Sequence, residues 1–362
     1  MPRPIKATIH MGSLRHNLQS MRKLAGKRML WAVVKADAYG HGLERAVRAF
    51  EEADGLAIID IFDIERARRF GWKKRLLLLQ GFFKPQDLPM IEANDAETVV
   101  HNEEGIRLLQ QFAPFKNLKV HIKINSGMNR FGFRPEEEAS VRATLSSIAG
   151  VTVMGITTHF ANACPEWDYG GPVSVKEQMQ NLGELARRQT GACFANSAAT
   201  IWLPQVAGDA VRVGISLYGV SPEPAIASRT LNIKPAMTLS SEILAIQNIR
   251  PGESVGYCSR FTAQRPSRIG VVACGFADGY LRGMPQGSPV YVEGHMAPIV
   301  GNIAMDVMMV DLTDIPQAHV GSTVELWGEH IAVADLATRA GTIAAELLCA
   351  VAPRVPFCED EN

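Results

Sequence analysis

The chain has 362 residues, 47% of them apolar and 20% charged, and its 37 Lys and Arg are balanced by 37 Asp and Glu. That balance lacks the basic excess that nucleic acid or an anionic membrane surface calls for, and no stretch approaches the roughly 18 consecutive apolar residues of a membrane-spanning helix. The length exceeds one ordinary core, so two domains, or one large α/β barrel with an addition, are expected.

The opening MPRPIKATIHMG has no continuous apolar h-region of a secretory signal, so a cytoplasmic location is expected. SLRHNLQSMRKLAG then reads as a helix, with Ser13 as N-cap and Gly26 as its stop. From residue 29 to about 215, eight short β-rich runs alternate with longer helical ones: MLWAVVKA, GLAIID, RLLLLQG, ETVVHN, LKVHIKIN, VTVMGITTHF, ACFANS and DAVRVG. GLERAVRAFEEAD and SVKEQMQNLGELARRQTG are typical of the intervening helices. Eight such units in about 200 residues are what a (β/α)8 barrel requires, whereas a doubly wound sheet rarely uses so many.

Beyond about residue 230 the strand-like runs MTLSSEILAIQNI, RIGVVACGF, PVYVEGHMAPIVG, AMDVMMVDL and STVELWG follow one another across Gly/Pro turns, with no helices between. This predicts a second, mostly β domain, before VADLATRAGTIAAELLCAVAP returns to helical periodicity. The expected division is 8–230 for the barrel and 231–362 for the β domain, which includes the segment 1–7 if that strand joins it. Six cysteines (Cys164, Cys193, Cys258, Cys274, Cys349, Cys358) form no CxxC or metal-like spacing, and most have apolar sequence neighbours. Free structural thiols and no metal site are expected.

Barrel enzymes carry their reactive groups at the C-terminal ends of the strands. The polar residues there are Lys35 after the first strand, Lys123 in the fifth with Arg130 just beyond, His159 ending the sixth, Asn196 and Ser197 ending the seventh, and Arg212 in the eighth. Each has an ordinary structural alternative: a charged strand end for Lys35, a core histidine for His159, a rim ion pair for Arg212 and a helix N-cap for ANSAAT. Together they converge on one mouth. The seventh and eighth loops, ANSA and RVGISLYG, occupy the usual phosphate position of such barrels. A lysine facing a phosphate site suggests a Schiff base with pyridoxal 5′-phosphate, because crowding by arginines favours the unprotonated amine that the cofactor's aldehyde needs. No GxGxxG follows a strand, and GFADG is not a P-loop.

AVVKADAYGHG, HIKINSGMNRFGF, THFA, ANSAAT, VRVGISLYG, VGYCSRF, GFADGY, GNIAMDVMMVDL and ELLCAVAPRVP, in that order from about residue 3 to 357, together resemble the alanine racemase family of fold-type III pyridoxal-phosphate enzymes. The resemblance implies an L/D-alanine racemase, an isomerase that supplies D-alanine for peptidoglycan and works as a homodimer with shared active sites. It implies that Lys35 binds the cofactor covalently and serves one face of the substrate Cα, while Tyr257 of the second subunit serves the other. Two opposed groups are what inversion by proton transfer requires. It further implies that Arg212 faces the pyridine nitrogen with His159 in support, and that Tyr39, Ser197, Asn196 and the backbone of Gly214 and Ile215 surround the phosphate. Arg130 would lie at the substrate carboxylate side, beside Lys123, which is carbamylated in many members. Met305 and Asp306 would reach the substrate from the second subunit, and Tyr280 would border the gate.

Three positions depart from the family pattern. Ala345 stands where a gate tyrosine is usual, Ala304 replaces a frequent cysteine, and Asn125 replaces an aspartate. The first two enlarge the substrate end, so a racemase of broader specificity, acting on serine or larger side chains, is the alternative. A non-catalytic cofactor carrier on the same barrel would lack the appended β domain.

Overall fold

The computed structural model describes residues 3–165, 173–187 and 191–361. It divides into two units. One comprises Arg15–Ala38 and Gly42–Leu217; the other comprises Met1–Leu14, Tyr39–His41 and Tyr218–Asn362.

The first unit is a closed barrel of eight parallel strands in sequence order. Its strands are Met29–Val33, Gly55–Ile58, Arg75–Leu78, Glu97–Val100, Leu118–Lys123, Val151–Thr157, Ala192–Ala195 and Ala210–Val213. Each falls inside one of the eight β-rich runs. The ring closes where Met29 to Ala32 register against Ala210 to Val213. Leu30, Ala32, Leu56, Ile58, Leu76, Val120 and Val211 are completely buried, which is why these runs read as continuously apolar.

Charge is also built into the barrel. Glu97, 1% exposed, accepts from Arg75 Nε and Nη2 and from His121 Nε2, the last at 2.7 Å. Burial alone would raise the Glu97 carboxyl, yet the hydrogen bonds from His121 and Arg75 together hold it below its ordinary value. The Arg75 guanidinium also lies 4.9 Å from the centre of the Trp31 ring.

The first helix spans Met11–Ala25, so Ser13 is an interior residue, not the expected N-cap. The strand Lys6–His10 runs directly into it, and with no linker there is no cap position for a serine. Gly26, at φ +62°, ends it as expected.

The second unit is built round the long strand Met237–Ile249. Its first half pairs with Lys6–His10 and Thr323–Trp327, its second half with Ser267–Val272, and the register shifts between Ile243 and Ala245. Because this strand meets both ends of the order, six antiparallel strands close a circuit, completed by Pro289–Val292, His295–Val300 and Met308–Asp311. Outside it, Lys6–His10 pairs in parallel with Phe357–Asp360. The helical pattern near the C-terminus becomes Val333–Arg339 and Ala344–Ala350.

Among the described residues no helix is long and apolar enough to cross a membrane. None of the six cysteines forms a disulfide; Cys193 and Cys274 are buried, while Cys258, Cys349 and Cys358 are exposed, so apolar sequence neighbours did not imply burial.

Candidate active site

The first barrel strand stops at Val33, and Val34, still fully buried, passes its N–H to the Ala57 carbonyl at 2.9 Å. Lys35 comes next, and behind it the chain turns left-handed: Ala36, Asp37, Ala38 and Tyr39 have φ of +53°, +50°, +57° and +51°. For residues with a Cβ this costs roughly 1–2 kcal/mol each and persists only where the surroundings enforce it. Here Asp37 supplies the restraint. Its carboxylate accepts from Leu43 N–H and Arg66 Nη2, both at 3.0 Å, and its carbonyl accepts from Gly42 N–H at 2.8 Å. Lys35 is therefore the last residue before a locally strained turn at a barrel-strand end, not a loose charge at an edge.

The other barrel candidates gather around His159. The His159 ring is pushed down to about 2 by burial, then by Arg212, Lys123, Arg130 and Lys35 in turn. Every charge acting on it is a cation. Lys123, the last residue of the fifth strand, is pushed well below its ordinary value by burial, then by Arg212 and Arg130. Arg212 is 5% exposed and fixed from two strand ends: Nη1 donates to Thr157 Oγ1 at 2.8 Å and Cys193 Sγ at 3.0 Å, and Nη2 donates to the Thr158 carbonyl at 2.5 Å. The guanidinium thus rests on backbone and side-chain acceptors of the sixth and seventh strands, and among the described residues no hydrogen bond joins it to the His159 ring.

At the seventh and eighth strand ends, Asn196 caps the following helix through its side-chain oxygen on Ala199 N–H at 3.0 Å. Ser197, 5% exposed, accepts the Gly214 N–H on its hydroxyl at 2.8 Å, ahead of the tight turn Ile215–Tyr218. The nearby Ser216 hydroxyl is buried and has no partner among the described residues. A cationic mouth, a lysine amine and two serine hydroxyls match a ligand that carries both an aldehyde and a phosphate, so this donor set fits pyridoxal 5′-phosphate.

Arg130 sits on the loop that follows the fifth strand. Asn125, the departure from aspartate, accepts on its side-chain oxygen from Gly127 N–H at 3.1 Å and Asn129 N–H at 3.0 Å, and its amide nitrogen donates to Asn129 Oδ1 at 3.0 Å. A carboxylate would serve the first two contacts and repel at the third. Behind this loop, Gln178 is fully buried: its Nε2 donates to Ser126 Oγ at 2.8 Å and the His159 carbonyl at 3.0 Å, and its Oε1 accepts Ala161 N–H at 2.8 Å. It ties the Arg130 loop to the His159 turn. A signal for it existed, because Val175, Gln178 and Leu182 fall on one helix face and a lone amide there is out of place.

The second unit holds the remaining candidates. Tyr39 stacks on Tyr218 with ring centroids 4.7 Å apart, and its phenol is pushed up to about 12 by burial and then by Cys349. Tyr280 is 1% exposed, stacked on Trp327, with its hydroxyl unpartnered among the described residues. Tyr257 and Met305, by contrast, are 70% and 55% exposed. Asp306 pairs with Arg354 Nη2 at 2.6 Å, and Arg354 and Arg3 also share the buried Asp278, so the Asp306 carboxylate is occupied holding its own loop.

The profile described as alanine racemase, N-terminal domain, matches residues 9–222, and that of the alanine racemase C-terminal domain matches residues 236–358. An alanine racemase of Burkholderia mallei is 45% identical over 98% of this chain and 99% of its own length. One from Ralstonia nicotianae is 42% identical over 98% and 95%. Among solved structures, a biosynthetic alanine racemase from Pseudomonas aeruginosa superposes with a TM-score of 0.94 at 36% identity, covering 99% of each chain. That of Acinetobacter baumannii gives 0.91 at 33%, covering 99% of this chain and 100% of its own.

Proposed function

The chain belongs to the alanine racemase family, and on that premise we propose that it interconverts L- and D-alanine with pyridoxal 5′-phosphate, using Lys35 and the partner's Tyr257 on opposite faces of the substrate Cα. The observation that carries the reading is the cationic cluster at the barrel mouth, where Lys35, Lys123, Arg130 and Arg212 all act on one neutral histidine. When bound, the cofactor supplies the conjugation that makes the substrate's α-hydrogen acidic.

The protein's own residues do the rest. Lys35 holds the cofactor and moves a proton at Cα. Arg212 would face the cofactor's ring nitrogen as a donor that cannot surrender its proton, which would leave that nitrogen unprotonated and restrain electron withdrawal. Ser197, Gly214, Ile215, Asn196 and Tyr39 hold the phosphate. Arg130 draws in the substrate carboxylate. Burial and the neighbouring arginines push the Lys123 amine well below its ordinary value and so favour its unprotonated, nucleophilic form; addition to carbon dioxide with loss of a proton to solvent would give a carbamate, an anionic neighbour for Arg130. Tyr257 and Met305, exposed on their own unit, are what a homodimer with shared sites would offer across its interface. The biological role in this reading is D-alanine supply for peptidoglycan in the cytoplasm.

Ala345 favours a second reading. It sits half-buried in the helix Ala344–Ala350 with only a methyl group where the family's gate tyrosine would stand, leaving room for side chains longer than that of alanine. Racemisation of L-alanine and L-serine by the cofactor-loaded dimer separates the two. A kcat/KM strongly favouring alanine supports the first reading; comparable serine turnover supports the second; no racemisation of either refutes both.

A further inference from the structure

The geometry points to Asn302 as the positioning residue for Tyr257, an inference that rests on the two-base reading above. Tyr257 lies in a turn rooted in a two-stranded hairpin, Ser254–Val255 against Phe261–Thr262, whose Val255 and Phe261 pack with Ile269, Val300 and Met309. The root is firm, but the turn itself is contorted. Gly256, Cys258 and Ser259 have φ of +72°, +60° and +46°. Glycine takes that conformation freely; cysteine and serine each lose roughly 1–2 kcal/mol in it.

Strain of this kind needs outside restraint, and little comes from within: Ser259 N–H reaches the Gly256 carbonyl at 3.3 Å. Asn302 supplies the tie at both shoulders. Its Nδ2 donates to the Tyr257 carbonyl at 2.9 Å, and its Oδ1 accepts from Arg260 Nη1 at 3.3 Å. Gln286 adds a second tie through the Arg260 carbonyl at 3.1 Å and Gly301 N–H at 3.4 Å. A Cβ on Gly256 would fall 2.6 Å from the Met309 methyl, so the turn is pressed down at this end. The Tyr257 side chain, 70% exposed, has little packing of its own, so what the subunit itself sets is the Cα–Cβ direction from which the phenol swings, and the backbone there is held by the Asn302 amide.

The experiment must respect a symmetry. L- and D-alanine are mirror images, the equilibrium constant is one, and kcat/KM stays equal in the two directions in any variant. A fault at one of two proton-transfer groups therefore appears as a one-sided primary isotope effect, measured with α-deuterated L- and D-alanine on the cofactor-loaded dimer. Tyr257→Phe in the same assay identifies the tyrosine-dependent enantiomer. For Asn302→Ala the expected result is a fall in kcat/KM of up to roughly 100-fold, as for a catalytic group displaced by about 1 Å, with the isotope effect raised for that enantiomer alone. Asn302→Asp keeps an acceptor for Arg260 but turns an oxygen on the Tyr257 carbonyl, so it should give the same one-sided effect while unfolding at the wild-type temperature. Asn302→Gln, which retains the amide, should recover part of the rate. Unchanged isotope effects in both Asn302→Ala and Asn302→Asp would overturn the assignment. A wild-type enzyme whose isotope effects do not respond to Tyr257→Phe would instead overturn the two-base reading, and Asn302 with it.

Discussion

Replacing Gln178 with methionine removes the amide that ties the Arg130 loop to the His159 turn while nearly conserving volume, so the cavity contribution stays small. Three hydrogen bonds go, but their partners fare differently. The Ser126 hydroxyl keeps Thr158 Oγ1 at 2.8 Å, whereas Ala161 N–H and the His159 carbonyl each lose the Gln178 amide. Both groups are only part-buried, so each lost bond costs about 0.5–1.5 kcal/mol and Gln178→Met should destabilise the barrel by about 1–3 kcal/mol. Urea unfolding measures this as a lower midpoint at unchanged slope. Gln178→Glu sharpens the test. It keeps the acceptor for Ala161 but sets a carboxylate oxygen against two other oxygens, so it should be worse than methionine, and worse still as pH rises and the carboxylate ionises. A Gln178→Met midpoint equivalent to less than about 0.5 kcal/mol would refute the reasoning, since the buried amide would then contribute no more than an ordinary surface residue.

Three further outcomes are expected. Borohydride reduction of the cofactor-loaded protein should fix cofactor mass on the peptide containing Lys35, and Lys35→Ala should carry none; label on the Lys123 peptide instead would move the attachment site. Because the Glu97 carboxyl is held below its ordinary value in the fold, its contribution is present above the unfolded pKa, about 4.3, and is lost as pH falls through the folded one. Glu97→Gln should therefore be less stable than wild type at neutral pH and lose less on acidification, with equal acid slopes in the urea midpoint counting against it. In Gly40→Ala the new Cβ would lie 2.3 Å from the Leu348 carbonyl oxygen at φ +79°, which should lower stability by about 3 kcal/mol or more, read as a thermal midpoint; an unchanged midpoint would show that this approach is not fixed.

The eight barrel strands were legible because each is a short run of buried aliphatics between turn residues, and residues at their ends were placed at one mouth by topology alone. The left-handed turn at Ala36–Tyr39 was not legible, since alanine, aspartate and tyrosine carry no compositional mark of positive φ and the restraint comes from Asp37 and Arg66, 29 residues apart. The start of the first helix was misread because Ser13 has the chemistry of a cap without its position. Sequence could put His159 and Arg212 in one neighbourhood but not choose the acceptors of the guanidinium, which are Thr157, Cys193 and Thr158. Asn302 escaped notice because its partners Tyr257 and Arg260 lie 45 and 42 residues away, a separation at which no local pattern operates.

The parallel pairing of Lys6–His10 with Phe357–Asp360 sets a timetable for the growing polypeptide. That strand leaves the ribosome about 230 residues ahead of Met237–Ile249, its antiparallel neighbour, a delay of roughly 12–46 s at translation rates of 5–20 residues per second. Its other neighbour, Phe357–Asp360, comes later still. The nascent chain thus carries an open β edge through most of its synthesis, and open edges recruit the wrong partners. The apolar positions Ala7 and Ile9, fully buried at the end, are uncovered throughout that interval. Slow translation or crowding on polysomes should therefore hurt yield more than the finished stability of the protein would suggest, and a charge introduced at the half-buried Thr8 should protect the nascent chain while leaving the barrel untouched.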